Sequence, residues 1–331
     1  MFYQGKNVLV AGGAGLVGQS LVRKLLDQGA CVRATQFKSR KITAAHKNLE
    51  VVSCDLRNEP EAAKVFKDMD IVFIAAGVVG GTRKIKEDPS YLIFGNLELR
   101  SKLIALAAKS GAERCAHVSS SYVYPHTGRP NVENEGFQGD PPAPVNYGLG
   151  WVERYLETLC KHFHMTTKTQ YAIARPTNMY GPHDNFNLEE CHVIPALVVK
   201  AVNRMNPFEA WGNGEDVRPF TYVDDFTDGL MRMTEKYAVA EPLNLCSREI
   251  PTVKEVLKTL FDYLEFHPRL VFSSDQPSLF PYKVSDPSLA RELLGWEAQV
   301  SLKEGLRRTV DWYVENFKRL GRTTPEKAAV S

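Results

Sequence analysis

The sequence predicts an α/β protein, a doubly wound parallel sheet followed by a smaller C-terminal domain. Three observations carry this. Short apolar runs alternate with helix-spaced runs through the first half of the 331 residues. Three glycines, Gly12, Gly15 and Gly18, stand at the first strand-to-helix junction. After about residue 180 the alternation becomes irregular, which marks a change of organisation.

Asn7–Ala11 is a short apolar run that ends in glycines and reads as the first strand. From Leu16 to Gln28, Leu16, Leu21, Val22, Leu25 and Leu26 fall at helical spacing, and Gly29 stops the helix. Cys31–Thr35, Glu50–Cys54 and Ile71–Ala75 supply strands two to four. A helix over about 89–109 carries Leu92, Ile93, Leu97, Leu103, Ile104 and Leu106 and stops at Gly111. His117–Ser119 closes a fifth strand. Residues 125–146, rich in Pro, Gly and Asn, form a loop long enough to be a candidate for function. A helix follows from Tyr147 to about Phe163, then a sixth strand at Ala172–Arg175, stopped by Pro176. Further helices are predicted at Ile194–Asn203, Asp224–Lys236, Val253–Glu265 and Leu302–Phe317.

Composition excludes several classes. Lys+Arg is 41 against Asp+Glu 39, and a net charge of +2 makes no electrostatic case for nucleic acid or a membrane surface. No apolar run reaches the ~20 residues of a membrane span. The N-terminus reads as a strand, not as a signal peptide. The six cysteines are scattered with no C-x-x-C pair, so neither a metal site nor a disulfide framework is expected. A cytoplasmic protein with reduced thiols is the expectation.

The glycine pattern carries the first chemistry. Gly12 permits a tight turn. Gly15 lets the N–H groups at the helix start, Leu16 and Val17, approach a diphosphate, and Gly18 lets helix and strand pack closely. The spacing G-x-x-G-x-x-G resembles the extended short-chain dehydrogenase/reductase family of NAD-dependent epimerases and dehydratases. Further segments resemble it in order: Cys54-Asp55-Leu56, Ile74-Ala75-Ala76-Gly77, Asn96, and Ser119-Ser120-Ser121-Tyr122-Val123-Tyr124-Pro125. The resemblance covers about residues 5–318. It implies a Rossmann-type domain over 1–180 and a mainly substrate-binding domain over 181–320 that partly returns to the first, with a loose tail at 321–331. It also implies cofactor contacts at Asp55, Leu56, Ala75, Ala76, Gly77, Asn96, Tyr147, Pro176 and Asn178. NAD binding needs an acid near the end of strand two. Gln36 stands there, followed by Lys38, Arg40 and Lys41, so NADP(H) is expected over NAD(H).

The resemblance makes Tyr147 the acid/base, Ser120 the hydroxyl that orients the sugar oxygen, and a lysine four residues after the tyrosine its cation. A cation beside a phenol favours phenolate, so the phenol can act as a base near neutral pH. Here position 151 is Trp151, and no lysine follows Tyr147 until Lys161. Arg154, the only cation between them, lies ~10 Å along the helix and is expected to be a surface charge.

Arg175–Phe186 and His192–Leu197 resemble the GDP-L-fucose synthases, epimerase/reductases of a GDP-keto-sugar. That implies His183 as an acid in epimerisation, since histidine gives or takes a proton near neutrality. Asn178, Asn185 and Val193 are then expected at the sugar. The partner base in those enzymes is a cysteine two residues after the serine. Tyr122 stands there, so either Tyr122 serves as base or the double epimerisation is lost. Trp211–Phe220 resembles their substrate loop, with Trp211 and Arg218 on the nucleotide diphosphate, where an arginine fork suits phosphate oxygens. Lys283 falls where relatives place a substrate-contacting lysine. Asp224 or Asp225 is expected to cap a helix. No Asp-Glu pair follows the serine, which argues against 4,6-dehydration.

The expected activity is an NAD(P)-dependent epimerase/reductase of a nucleotide-sugar, GDP-linked, working as a homodimer through the helices near 90–110 and 147–164. Two alternatives stay open: an epimerase that recycles tightly bound NAD(P)+, and a cofactor-binding protein that has lost catalysis, which Trp151 favours.

Overall fold

A computed structural model describes residues 1–38, 40–80, 88–138, 140–273 and 282–319. Its centre is a seven-stranded sheet. The strands are β1 Asn7–Ala11, β2 Cys31–Gln36, β3 Leu49–Ser53, β4 Ile71–Ile74, β5 Arg114–Val118, β6 Gln170–Pro176 and β10 Pro242–Leu245. Their order is β3-β2-β1-β4-β5-β6-β10, and every pairing is parallel. This is the nucleotide-binding order with one strand added at the β6 edge.

Both faces of the sheet are covered, as a parallel sheet requires. Successive residues of β1 serve opposite faces: Val8 and Val10 enter one core, Leu9 and Ala11 the other. Helices α1 Leu16–Asp27 and α7 Val223–Lys236 cover the first face. Helices α2 Glu59–Phe66, α3 Pro89–Ser110 and α5 Tyr147–Thr166 cover the second. Between α3 and α5 lies a one-turn helix, α4 Glu135–Gln138, inside the stretch read as loop.

A third core is built from α6 Val193–Val202, β8 Phe208–Trp211, α8 Val253–Leu264 and α10 Leu302–Arg319. Two small parallel sheets, β7 Met179–Tyr180 with β9 Thr221–Tyr222 and β8 with β11 Leu270–Ser273, complete it. The chain returns from this region to the first sheet through α7, β10 and α9 Ser288–Leu294, whose Ala290 and Leu294 join the first-face core.

The short elements α2, β8, β10, β11 and α9 were not predicted, because four to eight residues carry too little periodicity. Local chemistry still marks α2: Asn58 caps it by accepting the Glu61 N–H, and Ala62, Val65 and Phe66 face inward. Neither Asp224 nor Asp225 caps α7; Tyr222 holds that position. The Asp224 carboxylate instead accepts from Ser20 Oγ at 2.6 Å and from Arg23 at 2.7 Å, fastening α7 to α1. Asp225 accepts the N–H groups of Gln299 and Val300. Both carboxylates face neighbouring elements, so sequence position at a helix start did not reveal their work. The tail at 321–331 lies outside the described residues.

Candidate functional site

The glycine turn is shaped for close backbone approach. Gly12 has φ 92°, and a Cβ there would sit 2.7 Å from Ala76 N. A Cβ on Gly18 would sit 2.1 Å from Gly12 O, so helix and turn pack without a side chain between them. At Gly15 a Cβ would meet only Gly12 O at 3.5 Å, an ordinary contact. The side of the turn expected to face a diphosphate is therefore uncrowded. Helix α1 starts with no side-chain cap and no acid in its first turn, which leaves its positive end to an anion. These residues fit a dinucleotide.

The rest of the cradle is held by second contacts. Thr35 Oγ1 accepts the Gly12 N–H at 2.9 Å. Asn96 clamps the Ala75–Gly77 segment, accepting the Val78 N–H at 3.0 Å and donating to Val78 O at 2.8 Å. Its amide is thus engaged with the backbone, and its part is to hold the turn. Leu56 is buried, and Asp55 is bound by both arms of Arg57, which holds its carboxyl below the ordinary range. Gln36 bridges the ends of β2 and β3 through Ser53 and accepts the Ile42 N–H, so the basic segment folds back over α1, where Lys41 O accepts from Gln19. Lys38 lies over the Phe37 ring at 5.3 Å.

Ser120 lies two residues after β5 and accepts the Tyr122 N–H at 3.1 Å, opening a single 3-10 turn at Ser121–Val123. The helix that begins at Tyr147 packs onto this turn. Gly150 makes that possible, because a Cβ there would sit 2.4 Å from Tyr122 O. Tyr147 and Trp151 are both exposed, and their rings meet edge-on at 6.1 Å. Arg154 is not a surface charge. It is 5% exposed, donates to Val123 O at 2.9 Å and Asp140 O at 2.7 Å, and stacks 5.0 Å from the Trp151 ring. A carbonyl at the end of the serine turn captures it, a long-range contact that helix position alone does not announce. Trp151 is thus gripped between Tyr147 and Arg154.

Behind the turn lies a buried ionic network. Glu157 on α5 and Arg175 on β6 form a two-armed pair, at 2.6 and 2.8 Å, with both side chains fully buried. Ser119 donates to the same carboxylate, and Arg175 also donates to Tyr124 Oη. Arg100 on α3 pairs with Glu153 and donates to Val118 O beside His117. Burial pushes the Glu153 carboxyl up, and burial and Arg100 together hold His117 well below its ordinary value.

On the substrate side, Lys283 Nζ stands 3.9 Å from the centre of the Tyr122 ring. Arg218 pairs with Asp216 at 2.8 Å, and its charge is felt by both Tyr122 and Lys283. Asn178 donates to Pro219 O, tying the segment after Pro176 to the same loop. Trp211 is half exposed at the end of β8, and Val193 packs at the start of α6.

His183 has a different setting. It has φ 68°, packs 4.7 Å from Trp312, and feels the charges of Arg23 and Asp224. The histidine that feels Lys283 is His192, which burial, Lys283 and Arg40 all push below its ordinary value. His183 thus sits among Trp312, Arg23 and Asp224, whereas the charge of Lys283 reaches His192. His192 heads the second resembling segment, His192–Leu197. Asp184 accepts the Asn185 N–H at 2.7 Å, and burial pushes its carboxyl up to about 7.

With this geometry in hand, comparison with known proteins is direct. The model of the NAD dependent epimerase/dehydratase family matches residues 8–246. The probable GDP-L-fucose synthase 1 of Oryza sativa subsp. japonica is 30% identical over 319 residues, 95% of this chain and 93% of that one. The GDP-mannose 3,5-epimerase of Arabidopsis thaliana is 28% identical over 315 residues, 94% of this chain and 83% of that one. The crystal structure of the UDP-glucose 4-epimerase of Thermotoga maritima with UDP-glucose superposes with a TM-score of 0.83 at 25% identity, covering 94% of this chain and 99% of that one.

Proposed function

The chain belongs to the NAD-dependent epimerase/dehydratase family, and on that premise we propose that it is an NAD(P)-dependent epimerase/reductase acting on the hexose of a GDP-sugar. The observation that supports this is full-length similarity to GDP-sugar enzymes together with a side-chain cluster in which Tyr122, next but one to Ser120, meets Lys283, whose charge reaches His192 and which feels Arg218. NADP(H) is the preferred cofactor, supported by Gln36 in place of an acid and by Lys38 and Arg40 after it. A homodimer through α3 and α5 is part of the same reading.

When bound, the nicotinamide gives or takes the hydride at the sugar carbon. Ser120 Oγ donates a hydrogen bond to the sugar oxygen, and Tyr147 exchanges a proton with it. Gly12, Gly15, Gly18, Leu16 and Val17 hold the diphosphate of the cofactor, with Ala75, Ala76, Pro176 and Asn178 along its length. Arg218 and Trp211 hold the GDP moiety. His192 supplies the proton at the carbon next to the ketone.

The test is NADPH consumption with GDP-4-keto-6-deoxymannose and with a UDP-linked analogue. Turnover is expected with the GDP-sugar, at least about tenfold faster than with the UDP-sugar. Tight NADPH binding with no turnover of any nucleotide-sugar would favour the second reading, a cofactor-binding protein without catalysis, which rests on Trp151.

A further inference from the structure

We propose that Lys283 is the base that takes the proton from the carbon beside the sugar ketone, with the Tyr122 ring as its platform. This rests on the GDP-sugar reading above. The lysine is brought to the Tyr122 ring by a backbone clip. Val217 bridges to both Tyr282 and Thr252, the Lys283 N–H donates to Val217 O at 3.5 Å, and the Asn131 N–H donates to Val284 O at 3.0 Å. Pinned on both sides, the segment sets the amine 3.9 Å over the Tyr122 ring, two residues from the Ser120 hydroxyl. The sequence places a phenol where the related enzymes carry a cysteine base. The geometry gives that phenol's face, and not only its hydroxyl, a role.

The groups facing Lys283 are Tyr122 from the serine turn, Arg218 with its partner Asp216 from the loop after β8, and His192 from the start of α6. Burial, and then the Arg218 charge, favour the neutral amine, pushing Lys283 down to about 7. The unprotonated form of the amine is thus populated at neutral pH. Its lone pair takes the proton, the C–H electron pair moves onto the carbonyl oxygen as an enolate held by Ser120, and the ammonium formed rests on the aromatic face. Neutral His192 then relays a proton from solvent to carbon on the other side, taking one up at one ring nitrogen as it gives one from the other, and Lys283 releases its proton to solvent. No oxidant or reductant is consumed.

The experiment follows hydrogen exchange by proton NMR. The enzyme, loaded with NADP+, is incubated with GDP-4-keto-6-deoxymannose in heavy water, and loss of signal beside the ketone is read. Wild type is expected to exchange, with a rate that rises as pH passes through about 7. Lys283→Met and the charge-keeping Lys283→Arg should each lose about 10²-fold in exchange rate. Lys283→Arg should keep substrate affinity and lose the pH rise. Tyr122→Phe, which keeps the ring, should retain most of the exchange. Wild-type exchange in Lys283→Arg would overturn the proposal and leave the lysine as a charge for binding. Loss in Tyr122→Phe with retention in Lys283→Met would overturn it in favour of the phenol. If wild type reduces the GDP-keto-sugar without exchange, this inference alone fails. If it does neither, the GDP-sugar reading fails.

Discussion

At the residue scale the decisive substitution is the tryptophan one helical turn after Tyr147. Its ring meets Tyr147 on one side and the Arg154 guanidinium on the other. A lysine placed there would bring an ammonium toward a guanidinium already fixed by two carbonyls. The expected result of Trp151→Lys is therefore a loss in the single-turnover hydride-transfer rate of about tenfold, roughly 1.4 kcal/mol of barrier, while Trp151→Phe stays near wild type. A gain on Trp151→Lys would mark the site as damaged, not rebuilt. The two histidines give a second test. His192→Gln should slow exchange beside the ketone by about 10²-fold, and His183→Gln should leave it near wild type. At this scale short-range patterns are legible in the sequence. Glycine spacing, the serine segment and the missing lysine are all short-range patterns. It does not reveal which carbonyl will capture Arg154, or which histidine will face Lys283, because those neighbours come from distant turns of the chain.

At the scale of elements, the helix that carries Tyr147 is fixed to the sheet by one buried carboxylate. Glu157 binds Arg175 with both oxygens and also accepts from Ser119, the residue next to Ser120. Removing one partner of a fully buried pair leaves the other charge stranded, at a cost of about 3–5 kcal/mol. Glu157→Ala should show a loss of that size in urea unfolding, and the double change Glu157→Ala, Arg175→Met should recover part of it. The segment between β7 and α6 offers a pH test. Asp184 Oδ2 has no hydrogen-bond partner among the described residues, and the carboxyl sits at about 7 against an ordinary 3.8. The fold favours the protonated acid, so this contribution is fully present below 3.8 and is lost as pH rises through about 7. Asp184→Asn should leave the melting temperature unchanged at pH 4 and raise it by about 2–4 °C at pH 8. A rise at pH 4 of the same size would sink this account. Long elements were legible because apolar spacing repeats over several turns. Short strands such as β8 and β11 exist only because a partner strand pairs with them, and no run of four residues states its partner.

At the scale of the whole molecule, the proposed homodimer rests on what α3 and α5 leave uncovered. Their inner faces fill the second core with Leu99, Leu103, Ile104, Val152, Leu156 and Cys160. Their outer faces expose Phe94 at 65%, Tyr91 at 53% and Tyr155 at 51%. Rings of this size gathered on two neighbouring helices suit the proposed interface, and a two-fold axis between helix pairs would let the same patch meet itself. Phe94→Glu combined with Tyr155→Glu should convert a dimer into a monomer in sedimentation, with cofactor affinity retained, since neither residue belongs to the cradle around Gly12. Trp151 lies one helical turn from Tyr155 on α5, so the same double change should alter the intrinsic tryptophan fluorescence. A wild-type protein that sediments as a monomer at micromolar concentration would remove the dimer, and a double variant that remains dimeric would place the contact on another face.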